Sequence, residues 1–124
     1  MRLAKRYLAE HEDATPLRDL ADLRCKDLFD AGDNGDAVAL AILDQYYDLL
    51  GRFLANICCT IDPEVIVLGG GVSKTGQPVA DGAAKYFRKY AFHACRKTKI
   101  VLATLGNDAG AYGAFKLALD AFKK

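Results

Sequence analysis

A short apolar run that ends in three consecutive glycines constrains this chain more than any other stretch. Residues 65–68 read Val-Ile-Val-Leu, follow Asp-Pro-Glu and lead directly into Gly69, Gly70 and Gly71. A β-branched run bounded by turn residues predicts a buried strand. In open α/β sheets, ligands bind outside the carboxyl ends of the strands, and glycines there let a flat or phosphorylated group lie against the main chain. The stretch therefore predicts either a ligand-binding turn or a plain connection from strand to helix.

The spacing of the three glycines excludes two familiar phosphate-binding motifs. No Gly-Lys-Ser/Thr follows them, as a P-loop requires. They are also contiguous, whereas the dinucleotide-binding fingerprint spaces its glycines as Gly-x-Gly-x-x-Gly. A ligand at this turn would have to be bound in another way.

The pattern around the strand predicts an α/β architecture in the order helix, strand, helix, strand, helix. From Asp36 onward, apolar residues recur at three- and four-residue steps, which predicts an amphipathic helix of about six turns. Its apolar positions are Ala39, Ile42, Leu43, Tyr46, Leu49, Leu50, Phe53, Leu54, Ile57 and Cys58. Pro78 suits the first turn of the next helix, and residues 100–104 form a second branched run, hence a second strand. Strand–helix–strand spacing of this kind predicts a parallel strand pair with a right-handed crossover.

The segment before the long helix is predicted to consist of short helices and turns. Thr15 is a plausible N-cap, with Pro16 in the first helical position behind it. We therefore expect one domain over residues 1–124, with short helices over residues 1–35 and the α/β core over residues 36–124. Two strands alone would leave unpaired edges in water, so the sheet is expected to be part of a larger one.

The last helix carries two unusual positions near its start. Asn107 or Asp108 is predicted to cap it through a side-chain hydrogen bond. Gly110 and Gly113 lie in its first turns, where helix propensity disfavours glycine. Small residues three apart predict a close approach of the backbone, either to a sheet or to a bound ligand.

Composition excludes several classes of protein. Apolar residues make up 52% of the 124, charged residues 27%, and the formal net charge is +1. These values are typical of a globular protein and favour neither nucleic acid nor a membrane as partner. Six basic residues are spaced around a helix and its exit, which favours a solvated face over a nucleic-acid patch: Lys85, Arg88, Lys89, Arg96, Lys97 and Lys99. The four cysteines have no Cys-x-x-Cys spacing, which predicts buried free thiols and a cytoplasmic location: Cys25, Cys58, Cys59 and Cys95.

Two ordered motifs resemble a known family. Residues 62–73, Asp-Pro-Glu-Val-Ile-Val-Leu-Gly-Gly-Gly-Val-Ser, look like the carboxy-terminal part of the ROK family, named for repressors, open reading frames and sugar kinases. Residues 103–114, Ala-Thr-Leu-Gly-Asn-Asp-Ala-Gly-Ala-Tyr-Gly-Ala, are similar to a second part of that region, and residues 32–41 also resemble the family. The likeness is greatest to its glucokinase-like members.

The resemblance implies part of an actin-like ATPase fold, in which two ribonuclease-H-like lobes enclose a nucleotide cleft. The glycine turn in such kinases lies beside the adenosine of ATP, a role that the resemblance carries onto Gly69, Gly70, Gly71 and Val72. Four other family motifs are not found in this sequence: the Asp-x-Gly-Gly-Thr phosphate loop, the Asn-x-x-Asn-Asp-like segment with the catalytic Asp, a second glycine-rich phosphate loop and a Cys-x-Cys-Gly-x-x-Gly-Cys zinc motif. We therefore expect no catalytic residue and no metal ligand in this chain. The turn at residues 106–110 is expected to pack the last helix close behind the glycine turn.

Three functional hypotheses follow. The first is a carboxy-terminal fragment of an ATP-dependent glucose or hexose kinase, which uses ATP with Mg²⁺ when intact; alone, this chain would be inactive and would bind adenine nucleotide weakly or not at all. The second is an interaction module that forms a homo-oligomer or pairs with a complementary half, because the missing strands leave a sheet edge and apolar faces open. The third is the tail of a ROK-type transcriptional repressor.

Overall fold

The computed structural model describes residues 1–71 and 75–123, except for the side chain of Asn107. Its helices and strands, in chain order, are α1 (Arg2–Glu10), α2 (Cys25–Asp33), α3 (Ala37–Ile61), β1 (Val65–Leu68), α4 (Gln77–Tyr90), β2 (Lys99–Leu102) and α5 (Ala109–Phe122). The predicted order helix, strand, helix, strand, helix is thus confirmed from α3 to α5. Within the described residues, no helix combines the length and the hydropathy that a membrane span requires.

The two strands pair in parallel, as predicted. Val65 lies opposite Lys99 and Leu68 opposite Leu102, and the Ala103 amide extends the ladder by donating to the Leu68 carbonyl at 2.8 Å. Because α4 connects the strands, both of their carboxyl ends lie at the same edge of the sheet. One face of the pair is half-buried against the helices and the other is exposed.

Local sequence explains where several elements begin. The Thr15 hydroxyl accepts a hydrogen bond from the Leu17 amide at 3.2 Å, so this predicted N-cap is confirmed at a short 3-10 helix, Pro16–Asp19. The Asp36 carboxylate accepts from the Ala39 amide at 2.6 Å and starts α3 in the same way. Of the two residues predicted to cap α5, Asp108 precedes the helix but its side chain makes no capping bond, and the side chain of Asn107 lies outside the described part of the structure.

Helix α3 lies between two apolar clusters. The first joins α1, α2 and the first turns of α3, and its buried members are Ala4, Leu17, Leu23, Leu28, Phe29, Val38, Ala39, Ile42, Leu43 and Val79. The second joins α3 and α4 to the inner face of the sheet, with Leu54, Ala55, Cys58, Ala83, Phe87, Ala91 and Cys95 buried. The second cluster supports the strands whose ends form the site described below.

Glycines let α3 and α4 approach closely. A Cβ at Gly51 would lie 2.5 Å from the Cβ of Tyr86 and 2.6 Å from the backbone nitrogen of Phe87. A Cβ at Gly82, on the facing helix, would lie 2.6 Å from the ring of Tyr47. Neither position signals this role in the sequence, because the contact is made by residues that are distant along the chain.

Two expectations about burial are wrong. Leu49 and Phe53, assigned to the apolar face of α3, are 53% and 60% exposed. The apolar surface of α3 is therefore wider than the part of it that the other described residues cover. Of the four cysteines, which are free, Cys25 and Cys59 are exposed; the other two are buried as expected.

Asp48 links α3 to α4 at their solvent edge. The Tyr90 hydroxyl donates to Oδ1 of Asp48 at 2.5 Å, and Nη2 of Arg52 lies 2.7 Å from Oδ2. The hydrogen bond from Tyr90, followed by that from Arg52, holds the pKa of Asp48 below its ordinary value.

This arrangement predicts a pH-dependent contribution to stability. Because the pKa of Asp48 is lower in the folded state, its stabilisation is present above the unfolded-state pKa of about 3.9 and is lost as the pH falls through the folded-state value. We expect Asp48→Asn to be less stable than the wild type at neutral pH and the difference to shrink below about pH 4. Urea denaturation at several pH values measures this. Asp120→Asn, which removes an exposed ion pair with Lys116 on α5, is the control, and a constant difference for Asp48→Asn would contradict the assignment.

Candidate functional site

The glycine turn leaves the carboxyl end of β1 open to solvent. Gly69, Gly70 and Gly71 are exposed, and Gly70 has φ +84°, a conformation that favours glycine. A Cβ at Gly70 or Gly71 would meet no described heavy atom within 4 Å, and one at Gly69 would only touch the Ala103 side chain at 3.5 Å. No described side chain fills the turn. Val72, the fourth predicted site residue, lies outside the described residues.

A second glycine turn lies at the same edge of the sheet. It follows β2, and its Gly106 has φ +53°. The bond from the Ala103 amide to the Leu68 carbonyl holds the two turns side by side just beyond the paired strands. Gly106 and Ala103 were not among the predicted site residues. The predicted parallel pairing of the two strands could have identified both residues, because it places the carboxyl ends of the strands at the same edge of the sheet.

Helix α2 forms one wall beside the glycine turn. Gly71 and Thr75 line a groove of about 430 Å³ together with the polar residues Lys26, Asp30 and Asp33. This wall offers an ammonium and two carboxylates, which can hydrogen-bond to hydroxyl or amino groups. Sequence reasoning missed the wall, because α2 is more than 30 residues from the turn along the chain.

The described residues of the two turns offer mainly backbone groups. Among residues 1–71 and 75–123, no group of three or more histidines, cysteines and acidic residues is close enough to hold a metal ion. The edge is therefore suited to holding the flat part of a ligand against the main chain.

The last helix does not pack as the sequence suggested. None of the described residues of α5 is buried, and its main contacts are with the 3-10 helix that immediately precedes it. A Cβ at Gly110 or Gly113 would meet no described heavy atom within 4 Å. The expected close approach of the helix behind the glycine turn is therefore not made by the described part of this chain.

Comparison with solved structures defines the class of protein first. A ROK family glucokinase from Streptomyces griseus, solved in complex with glucose and AMPPNP, superposes with a TM-score of 0.79 at 31% identity. The superposition covers 94% of this chain and 40% of the glucokinase. The α/β unit is part of a ribonuclease-H-like lobe of the actin-like ATPase type, as the resemblance implied.

The family then follows from sequence. The ROK family profile matches residues 3–121, and the chain belongs to this family. Glucokinase from Halalkalibacterium halodurans is 37% identical over 116 residues, which cover 90% of this chain and 35% of that protein. N-acetyl-D-glucosamine kinase from Aliivibrio salmonicida is 33% identical, over 71% of this chain and 29% of that protein. The chain thus spans about a third of the length of the curated relatives it matches.

Proposed function

We propose that this chain is the carboxy-terminal part of an ATP-dependent sugar kinase that acts on glucose or a related hexose in the cytoplasm, and that it forms the adenosine side of the nucleotide site. The single observation that carries the proposal is the open glycine turn at the carboxyl edge of a strand pair, in a fold shared with a glucokinase. The two named relatives reported above are kinases, which favours this hypothesis over the repressor tail.

The turn would bind adenosine through shape. Gly69, Gly70 and Gly71 would lie against the base and ribose, because no Cβ separates those groups from the main chain of the glycines, and Val72 would lie beside them. The carboxylates of Asp30 and Asp33 across the groove would accept hydrogen bonds from hydroxyl or amino groups of the nucleoside. Bound ATP with Mg²⁺ would supply the phosphoryl group, and the phosphate contacts would come from outside the described edge.

The isolated chain is expected to bind adenine nucleotide weakly and to have no sugar kinase activity. Phosphoryl transfer depends on a positioned base and on charge stabilisation around the transferred group, and the sequence carries none of the family motifs for either. We expect a dissociation constant no tighter than roughly 1 mM, about 4 kcal/mol of binding free energy. A coupled assay for ADP with glucose tests the inactivity, which sustained turnover by the isolated chain would disprove.

Binding through adenosine rather than phosphate makes a specific prediction. We expect adenosine and ATP to bind the isolated chain with similar affinity and to shift the amide resonances of Gly69, Gly70 and Gly71. Gly71→Val should abolish these shifts, because its side chain would occupy the ligand's place. It should leave the free energy of unfolding nearly unchanged, since Gly71 has an ordinary φ and a Cβ there would meet no heavy atom of the described residues within 4 Å. Titrations followed by two-dimensional NMR, with urea denaturation of the same variant, measure both.

Gly113→Val is the matched control, because Gly113 is also exposed and open but lies within α5. It should leave the binding shifts intact. Unchanged shifts in Gly71→Val, or shifts that appear only with ATP and not with adenosine, would show that the glycine turn does not hold the nucleoside.

A further inference from the structure

Two carboxylates beside the glycine turn have no partner among the described residues. Residues 27–36 contain four aspartates. Asp27 and Asp36 each accept a hydrogen bond from a backbone amide at the start of a helix, at 2.9 Å and 2.6 Å. Asp30 and Asp33 make no hydrogen bond or ion pair with any residue that the structure describes, and these two line the groove of about 430 Å³ between α2 and the turn. The aspartates with unused acceptors are thus the two that face the candidate site.

Both carboxylates also lie where a helix disfavours negative charge. Helix α2 runs from Cys25 to Asp33, so Asp30 and Asp33 belong to its last turn, which has no basic residue. The helix macrodipole places partial negative charge at that end, and a carboxylate there is destabilising. A local rule that is broken without a compensating contact is typical of functional positions.

The chemistry of a carboxylate restricts what these residues can bind. Ionised Asp30 and Asp33 only accept hydrogen bonds, so their ligand must donate. An adenine nucleoside has two kinds of donor, the 6-amino group of the base and the adjacent 2′- and 3′-hydroxyls of the ribose. An acidic side chain binds the ribose 2′-hydroxyl in the dinucleotide-binding fold, because its oxygens accept from the sugar.

The position of the wall distinguishes between these two donors. A base that lies flat against the main chain of the glycine turn keeps its amino group in its own plane, along the turn. The ribose projects out of that plane. Helix α2 lies across the groove from Gly71, so the sugar hydroxyls reach its carboxylates more directly than the amino group does.

We propose that Asp30 and Asp33 bind the 2′- and 3′-hydroxyls of the ribose and make the groove selective for ribonucleosides over deoxyribonucleosides. This inference rests on the proposed function. It adds a specificity that the glycine turn cannot supply, because a bare main chain accommodates the same flat base whichever sugar is attached.

Titrations of the 124-residue chain followed by two-dimensional NMR test the proposal. The ligands are adenosine, 2′-deoxyadenosine and purine riboside, which lacks the 6-amino group. We expect 2′-deoxyadenosine to bind about fivefold more weakly than adenosine, because it lacks one hydrogen bond to a charged group. Purine riboside should bind as adenosine does, since the carboxylates do not contact the base.

The double variant Asp30→Ala/Asp33→Ala should bring the ratio of the dissociation constants of 2′-deoxyadenosine and adenosine close to one. Asp22→Ala is the matched control, because Asp22 is also exposed but does not line the groove, and it should keep the ratio. The double variant should unfold at a urea concentration no lower than that of the wild type, because it removes two unpaired charges from the last turn of α2. A purely structural role for the two aspartates predicts a lower concentration.

The outcomes separate this inference from the proposed function. Equal binding of adenosine and 2′-deoxyadenosine, a loss of affinity with purine riboside instead, a ratio that survives in the double variant, or a double variant that unfolds more easily would each overturn the ribose assignment. All four leave the nucleoside at the glycine turn. If none of the three ligands shifts the amide resonances of Gly69, Gly70 and Gly71, the proposed function fails and the ribose assignment fails with it.

Discussion

Gly51→Ala is expected to lower the free energy of unfolding by about 1–2 kcal/mol, although alanine is the better helix former. The new methyl group would lie 2.6 Å from the backbone nitrogen of Phe87, and a backbone atom cannot move aside unless α3 and α4 separate. Overpacking of this kind typically costs about 1–3 kcal/mol and outweighs the roughly 0.5–1 kcal/mol that alanine gains in a helix. Urea denaturation followed by circular dichroism measures the change.

Two other glycines serve as controls for this prediction. Gly113→Ala adds the same methyl group in open space on α5 and should stabilise the helix by about 0.5–1 kcal/mol. The three atoms nearest to a Cβ at Gly82 belong to the side chain of Tyr47 rather than to the backbone, so the cost of Gly82→Ala should be smaller than that of Gly51→Ala. If Gly51→Ala stabilises the chain as much as Gly113→Ala, the two helices do not pack as described.

Phe87→Ala should have the largest effect on stability, a loss of about 3–5 kcal/mol. Phe87 is 1% exposed and lies in the cluster that joins α3, α4 and the inner face of the sheet. Its removal leaves a cavity against Leu54 and Cys58, which the rigid helix pair cannot close fully. Since whole domains are stable by about 5–15 kcal/mol, we expect a substantial unfolded population at physiological temperature.

Phe53→Ala is the matched control, because it removes the same ring from a position on α3 that is 60% exposed. Its effect should stay within about 0.5 kcal/mol. Thermal denaturation of both variants measures the contrast, and equal losses would mean that the outer side of α3 is buried in solution.

The substitutions of Gly51 and Phe87 should both affect the candidate site, although neither residue lies in it. The α3–α4 contact and the second apolar cluster hold Ile66, Leu68 and Ile100 on the inner face of the strands. The strand ends position the glycine turn and Gly106. We therefore expect any residual nucleoside binding to disappear in these variants together with the fold, unlike Gly71→Val, which should affect binding alone.

The candidate site shows how far local sequence reasoning reaches. The open turn at Gly70 was predictable, because a branched run followed by glycines has few other structures available. Gly106 and the α2 wall with Lys26 and Asp30 were not predictable in this way, because only strand pairing and helix packing bring them close to the glycine turn. The assignment of adenosine to the turn stays a prediction.

By itself the sequence determined the long helix α3, the two strands and their parallel pairing, because hydrophobic periodicity and turn residues act over a few positions. Only the tertiary structure decided that Gly51 and Gly82 bring two helices together, that Phe53 faces solvent, and that no described residue of α5 is buried. The physical reason is that a residue is buried by the residues that pack against it, and these are usually distant from it along the chain.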